Sequence, residues 1–321
     1  MNAPTNLQSG ISVQVRGLRK SFDGQEVLKG LDFDVKPGEV FVIMGPSGSG
    51  KSVLLKHLIG LEPPDAGEIL INGESIQSPE IASKYRLALV FQSGALLNSL
   101  TVGENVGLYL SEHRLKSPEE IARIVAEKLE DVGLKDTENK MPNELSGGMK
   151  KRAAIARALV IEPQLIMYDE PTSELDPLSS VLIAEEIRHL QERIHVTSLV
   201  VSHDRDLAFG VADRIAVINE GRILTIGTPD EVKSFNDPLV QKFLHADFKR
   251  DAQPKMGRRG WRLRRRWRRV RRQLRGGRRS LDRCTGGSGH PRLSAHTEAV
   301  TGGSLVFVRA LIALRPQQRA T

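Results

Sequence analysis

One cysteine, Cys284, stands in 321 residues. A disulfide within the chain is therefore excluded, and the expected setting is a reducing cytosol. No run approaches the roughly 20 apolar residues that cross a bilayer, so any service to a membrane is expected to go through a partner. The N-terminus lacks the basic-then-apolar pattern of a secretory signal. No internal repeat is visible. Basic charge, too, is missing from most of the chain. The formal net charge is +8, yet residues 252–321 hold 19 of the 47 Lys+Arg and 2 of the 39 Asp+Glu. Residues 1–251 therefore carry a net −9. The global charge is no nucleic-acid footprint, and no specific nucleic-acid partner is expected.

What is present is sharper. Gly45, Pro46, Ser47, Gly48, Ser49, Gly50, Lys51 and Ser52 fit the phosphate loop G-x-x-x-x-G-K-[ST] at every fixed position. An apolar run, Val40 to Met44, precedes the loop, and a helical pattern from Val53 to Ile59 follows it. A strand, a glycine loop and a helix start together make a phosphate cradle. The glycines let backbone N–H groups approach the ligand, and the helix dipole favours negative charge. Lys51 would reach the β- and γ-phosphates, and the Ser52 hydroxyl would bind Mg²⁺.

Strand and helix signals alternate around this loop. Residues 11–17 alternate apolar and polar, and Asp23-Gly24 predicts a hairpin into Leu31–Val35. Further strands are expected at Gly67–Gly73, Leu87–Phe91, Leu165–Tyr168, Thr197–Ser202, Asp213–Asn219 and Arg222–Ile226. Helices are expected at Glu104–Leu110, Pro118–Val132, within Glu144–Ile161, at Pro177–Ile194, and near 229–235 and 238–246. The fold class is α/β: a phosphate-loop NTPase core on a mostly parallel sheet, with an antiparallel β subdomain and an α-helical insert at about 93–161. The folded domain is expected over 11–246, and residues 252–321 form a basic tail expected to be disordered.

Two more sites join the loop. Leu165-Ile166-Met167-Tyr168 delivers Asp169 and Glu170 at the end of a buried strand. Asp169 would hold Mg²⁺ through water, and Glu170 would polarise the water attacking the γ-phosphate. Ser146, Gly147 and Gly148 open a helix and make a second anion site. Two phosphate-binding helix ends in one chain make sense if two copies face each other, each nucleotide lying between the loop of one and the Ser-Gly-Gly of the other.

The ordered set Gly45–Ser52, Gln92, Leu145–Met149, Asp169-Glu170, Ser173–Asp176 and His203 resembles the ATPase of ATP-binding cassette (ABC) transporters over about residues 11–246. The resemblance implies an ATP-sandwich homodimer that closes on ATP. It implies that Phe22 stacks on adenine, that Gln92 links Mg²⁺ and the attacking water to a membrane permease, and that His203 contacts the γ-phosphate. Asp176 would help form the dimer contact, and Ser146, Gly147 and Gly148 would hold the γ-phosphate of the opposite chain. A single phosphate loop speaks against two-cassette ribosome-acting relatives. The absence of sustained heptads between Ser52 and Leu145 speaks against DNA-repair ATPases.

Met149 in place of the usual Gln, and Phe91-Gln92-Ser93-Gly94-Ala95-Leu96-Leu97 without the usual proline, are similar to the Mla-type phospholipid-transport branch, also called toluene-tolerance ATPases. That likeness implies a membrane permease and a periplasmic MCE-domain lipid-binding protein as partners. The ATPase would then sit at the cytoplasmic face of the inner membrane. The alternative is a generic importer ATPase serving an amino acid or other solute. The arginine-rich tail, with Trp261 and Trp267, admits three readings: a lipid-contacting segment, a nonspecific nucleic-acid binder, or an irregular extension.

Overall fold

The computed structural model describes residues 10–245. The expected tail at 252–321 lies outside them.

A six-stranded sheet carries the core. Its strands are β3 (Val40–Met44), β6 (Leu87–Val90), β7 (Leu165–Asp169), β8 (Thr197–Ser202), β9 (Arg214–Asn219) and β10 (Arg222–Gly227), in the order β10-β9-β3-β8-β7-β6. All neighbours are parallel except β10, which runs against β9. Every residue of β3 and β8 is buried, the pattern of strands covered on both faces. Alternate side chains of one strand therefore enter different cores. Val40, Val42, Met44, Ile166, Tyr168 and Val200 face one cluster. Phe41, Ile43, Leu165, Met167, Leu199 and Val201 face the other.

The second cluster is capped by an antiparallel sheet, β2-β1-β4-β5, built from β1 (Val13–Phe22), β2 (Gln25–Val35), β4 (Ala66–Ile71) and β5 (Glu74–Ser75). Asp23-Gly24, Asn72-Gly73 and Glu220-Gly221 make the two-residue turns of three hairpins, and all six residues have positive φ. Such turns match the twist of paired strands, and Asn/Asp-Gly fits them without strain.

Nine helices lie among the described residues: α1 (Lys51–Leu58), α2 (Ile81–Lys84), α3 (Val102–Glu112), α4 (Pro118–Asp131), α5 (Gly147–Leu159), α6 (Pro177–Ile194), α7 (Arg205–Val211), α8 (Pro229–Ser234) and α9 (Pro238–Leu244). Three of them, α3 to α5, lie between β6 and β7 in the chain and pack on one another. Thr101 and Ser117 start α3 and α4 with full capping boxes. The helix expected within Glu144–Ile161 begins only at Gly147, because Ser146 caps it and Pro142–Glu144 forms a separate 3₁₀ turn. The short α2, α7 and β5 went unread in the sequence. None of the described helices is long and apolar enough to cross a membrane.

Asn105, fully buried on α3, ties that helix to the loop after Gln92. Its Oδ1 accepts from Leu97 N at 2.7 Å, and its Nδ2 donates to the carbonyls of Leu97, Leu100 and Thr101 at 2.9–3.1 Å. Asn105→Ala strands those groups in the core and is expected to cost about 2–3 kcal/mol. Chemical denaturation, read as a midpoint shift at constant m-value, checks it.

Candidate active site

The chain leaves β3 at Met44 and re-enters regular structure at Lys51, so residues 45–50 wrap the N-terminus of α1. Two glycines are dictated by space. A Cβ on Gly45 would lie 2.2 Å from Ile218 O. Gly50, the N-cap, has φ +98°, and a Cβ there would meet Leu28 Cδ2 at 2.7 Å. No side chain caps α1. Its first N–H groups are therefore available to an anion, with the dipole aligned to favour one. Ser49 is 3% exposed, and its Oγ has no hydrogen-bond partner in the protein.

A cleft of about 330 Å³ opens on this helix start. It is lined by Ser47, Gly48, Gly50, Lys51 and Ser52 from the loop, by Gln92 after β6, by Glu170 after β7, by His203 after β8, and by Val27 and Val53. The parallel register explains the meeting: β3, β6, β7 and β8 all end at the same edge, so each strand delivers its polar residue there.

Within the cleft the charges are already paired. The buried Lys51 Nζ donates to Gly45 O at 2.8 Å and Pro46 O at 3.1 Å, and meets Glu170 Oε1 at 3.3 Å. The other carboxylate oxygen, Oε2, accepts from His203 N at 3.1 Å, His203 Nδ1 at 2.8 Å and Ser202 Oγ at 3.2 Å. A carboxylate only accepts, so His203 carries its proton on Nδ1 in this contact. Glu170 itself has φ +47°, a left-handed conformation rare for a residue with a side chain. Its backbone is held there by Glu170 N to Val201 O at 2.9 Å and by Ser173 Oγ to Glu170 O at 2.8 Å.

Ser52 Oγ donates to Asp169 Oδ1 at 2.9 Å. Burial raises the Asp169 pKa above the ordinary carboxylate value, and the Ser52 hydrogen bond offsets this only in part. A cation here would relieve that penalty. Among the described residues no group of three or more His, Cys, Asp or Glu forms a metal cage. Ser52, Asp169 and the nearby Gln92 are oxygen donors, few in number. They fit a hard cation that keeps waters and phosphate oxygens as its other ligands.

Five expected residues stay apart from this cleft. Ser146 and Gly147 are exposed at the start of α5, where Ser146 Oγ accepts from Met149 N at 3.3 Å. Gly148 is buried because α5 passes close to α6; a Cβ there would sit 3.0 Å from Ser179 Oγ. Asp176 is exposed and caps α6, accepting from Ser179 N at 3.0 Å and Ser179 Oγ at 2.6 Å. Phe22, 38% exposed, ends β1 outside the cleft lining, with Lys20 Nζ 5.4 Å from its ring centroid.

Two cations escaped sequence reasoning. Lys151 and Arg157 lie in the helix expected within Glu144–Ile161, yet each is only 6% exposed. Arg157 donates to Gly94 O and Ala95 O at 2.7 Å, and burial pulls its guanidinium pKa down to about 10. Lys151 Nζ donates to Gln92 O, and to Glu170 O and Ser173 Oγ at 3.2 Å each. Burial lowers the Lys151 pKa, against the pull of Glu174, Asp169 and Glu170.

Comparison with known proteins agrees with this geometry. The sequence profile described as "ABC transporter" matches residues 28–173. Protein TRIGALACTOSYLDIACYLGLYCEROL 3, chloroplastic, of Arabidopsis thaliana is 41% identical over 254 residues, 73% of this chain and 74% of that protein. The probable ribonucleotide transport ATP-binding protein mkl of Mycobacterium leprae is 40% identical over 240 residues, 74% of this chain and 69% of the relative. Among solved structures, an ATP-binding cassette in a dimeric post-hydrolysis state with ADP and Pi superposes with a TM-score of 0.62 at 33% identity. That match covers 68% of this chain and 98% of the other. The chain belongs to the ABC transporter family and is an ATP-binding, ATP-hydrolysing subunit of such a transporter.

Proposed function

We propose that this subunit powers phospholipid transport across a Gram-negative envelope, as a homodimer on the cytoplasmic face of the inner membrane beneath a permease and a periplasmic MCE-domain protein. The likeness to a relative whose name carries a diacylglycerol lipid supports the cargo class. Met149 and the proline-free segment after Gln92 point the same way. A solute cargo is the second reading, favoured by the relative named for ribonucleotide transport.

The observation that carries the chemistry is the meeting of Lys51, Ser52, Gln92, Asp169, Glu170 and His203 at one strand edge. The free backbone N–H groups of the loop and of the start of α1, with the Lys51 ammonium, bind and orient the phosphates. Ser52, Asp169 and Gln92 would hold Mg²⁺, which when bound neutralises charge on the phosphate oxygens. Glu170 accepts the proton of the attacking water. To do so it must give up Lys51 and His203, so phosphate binding that draws Lys51 away also releases the base. Once Nδ1 no longer donates to Glu170, the Nε2–H tautomer of His203 can donate to a phosphate oxygen. Phe22 supplies an exposed aromatic for the adenine. Ser146, Gly147, Gly148 and Asp176, standing outside their own chain's cleft, serve the nucleotide of the second copy. Two such composite sites give ATP a higher affinity for the closed dimer, which is what drives closure.

Affinity capture of the full chain from its native membrane tests the cargo. Co-purification of a multi-spanning permease with an MCE-domain protein carrying phospholipid is the expected result. A solute permease with a soluble substrate-binding protein would overturn the lipid reading and keep the ATPase.

A further inference from the structure

We propose that Lys151 is a positioning residue that locks the Gln92 and Glu170 loops to helix α5, so that the two half-sites of the dimer act together. The inference rests on the reading of Gln92 and Glu170 as catalytic.

An ammonium group has three N–H donors. Lys151 Nζ donates to Gln92 O, Glu170 O and Ser173 Oγ. These acceptors come from two chain segments, the loop after β6 and the connection between β7 and α6. Burying a cation is costly unless it is satisfied in this way, so its presence at 6% exposure needs a reason. Glu170 O has other donors, Ser173 N at 3.1 Å and Ser173 Oγ at 2.8 Å. The contact that Lys151 makes to Gln92 O is therefore the more consequential one.

Two turns along α5, Arg157 grips Gly94 O and Ala95 O of the same loop. Gly94 and Ala95 both have positive φ, +73° and +45°. A loop with a left-handed alanine is held by its surroundings rather than by its own preference. One helix thus grips the loop on both sides of Ser93, and through Lys151 it also grips the backbone that aims Glu170.

Helix α5 begins at Ser146-Gly147-Gly148, the segment proposed to meet the nucleotide of the second copy. A displacement of α5 when that segment engages is passed by Lys151 to Gln92 and Glu170 of its own site. Lys151 does not line the cleft; it acts through Gln92 and Glu170, which do.

The test uses the full chain with Lys151→Met, Lys151→Gln and, as control, Glu170→Gln. A fluorescent ATP analogue reads affinity, steady-state kinetics read kcat, and Mg²⁺ titration reads the half-activating concentration. Lys151→Met is expected to lower kcat about tenfold or more, because small misplacements of catalytic groups are that costly. Affinity for the analogue should move less than about threefold, as expected when ground-state binding is untouched. The Mg²⁺ requirement should rise, and the cooperativity of turnover with ATP should fall. Neither follows from a purely structural role. Lys151→Gln, with two donors, should fall between. Should the Met variant not fold, the Gln variant decides alone. Unchanged kcat and Mg²⁺ dependence, or a loss of affinity in step with kcat, overturns the proposal. Normal turnover by Glu170→Gln would instead overturn the reading of the site beneath it.

Discussion

Glu170→Gln binds ATP and hydrolyses it about 10²–10⁴-fold more slowly than the parent, the range a general base contributes. The substitution is close to isosteric, so the effect falls on chemistry. The amide oxygen can keep either Lys51, at the Oε1 position, or His203 N, at the Oε2 position, and the backbone anchors to Val201 and Ser173 are untouched. What disappears is a group able to take the water's proton. ATP that is bound but not cleaved should hold the dimer closed. Size-exclusion chromatography with Mg-ATP is expected to show a dimer that the parent shows only transiently. Turnover at the parental rate would remove Glu170 as the base and, with it, the reading of the Lys51–Glu170 contact as a latch on the base.

Lys51→Ala weakens ATP binding by about 10- to 100-fold, the equivalent of one charge-assisted hydrogen bond of roughly 1.5–3 kcal/mol. The loop loses the contacts of Lys51 to Gly45 O and Pro46 O, but Gly45 and Gly50 stay packed closely against Ile218 and Leu28. Glu170 loses one partner but keeps Ser202 Oγ and the backbone N and Nδ1 of His203. The melting temperature should therefore stay close to the parent's while calorimetric affinity for ATP collapses. Unchanged affinity would contradict the cradle. A large fall in melting temperature would mean that Lys51 serves mainly to neutralise Glu170 in the fold.

These effects differ in how far ahead they could be seen. The cradle was legible because its ingredients are contiguous: an apolar strand, glycines at the positions where a Cβ has no room, then a helix start. The hairpin at Asp23-Gly24 and the cap at Ser146 were legible for the same reason. Asp169 and Glu170 could be suspected from a strand ending in two acids, but their partners could not. Ser52 meets Asp169 across 117 positions of sequence. Lys151 illustrates the limit best. In Met149-Lys150-Lys151-Arg152 it looks like any solvated cation, and its neighbour Arg152 does reach loop carbonyls near the surface. Only the packing of α5 against β6 and α6 turns position 151 inward.

By itself, then, the sequence determined the local chemistry. It set which segment can bind phosphate, which strand end carries the acids, and which turns reverse the chain, because those features depend on backbone freedom and periodicity within a few residues. The tertiary structure decided the pairings: Lys51 with Glu170, Glu170 with His203, and Lys151 with three carbonyl and hydroxyl oxygens. Such contacts arise only when a parallel sheet brings distant strand ends to one edge, and the desolvation of a buried charge then selects the partners that can satisfy it.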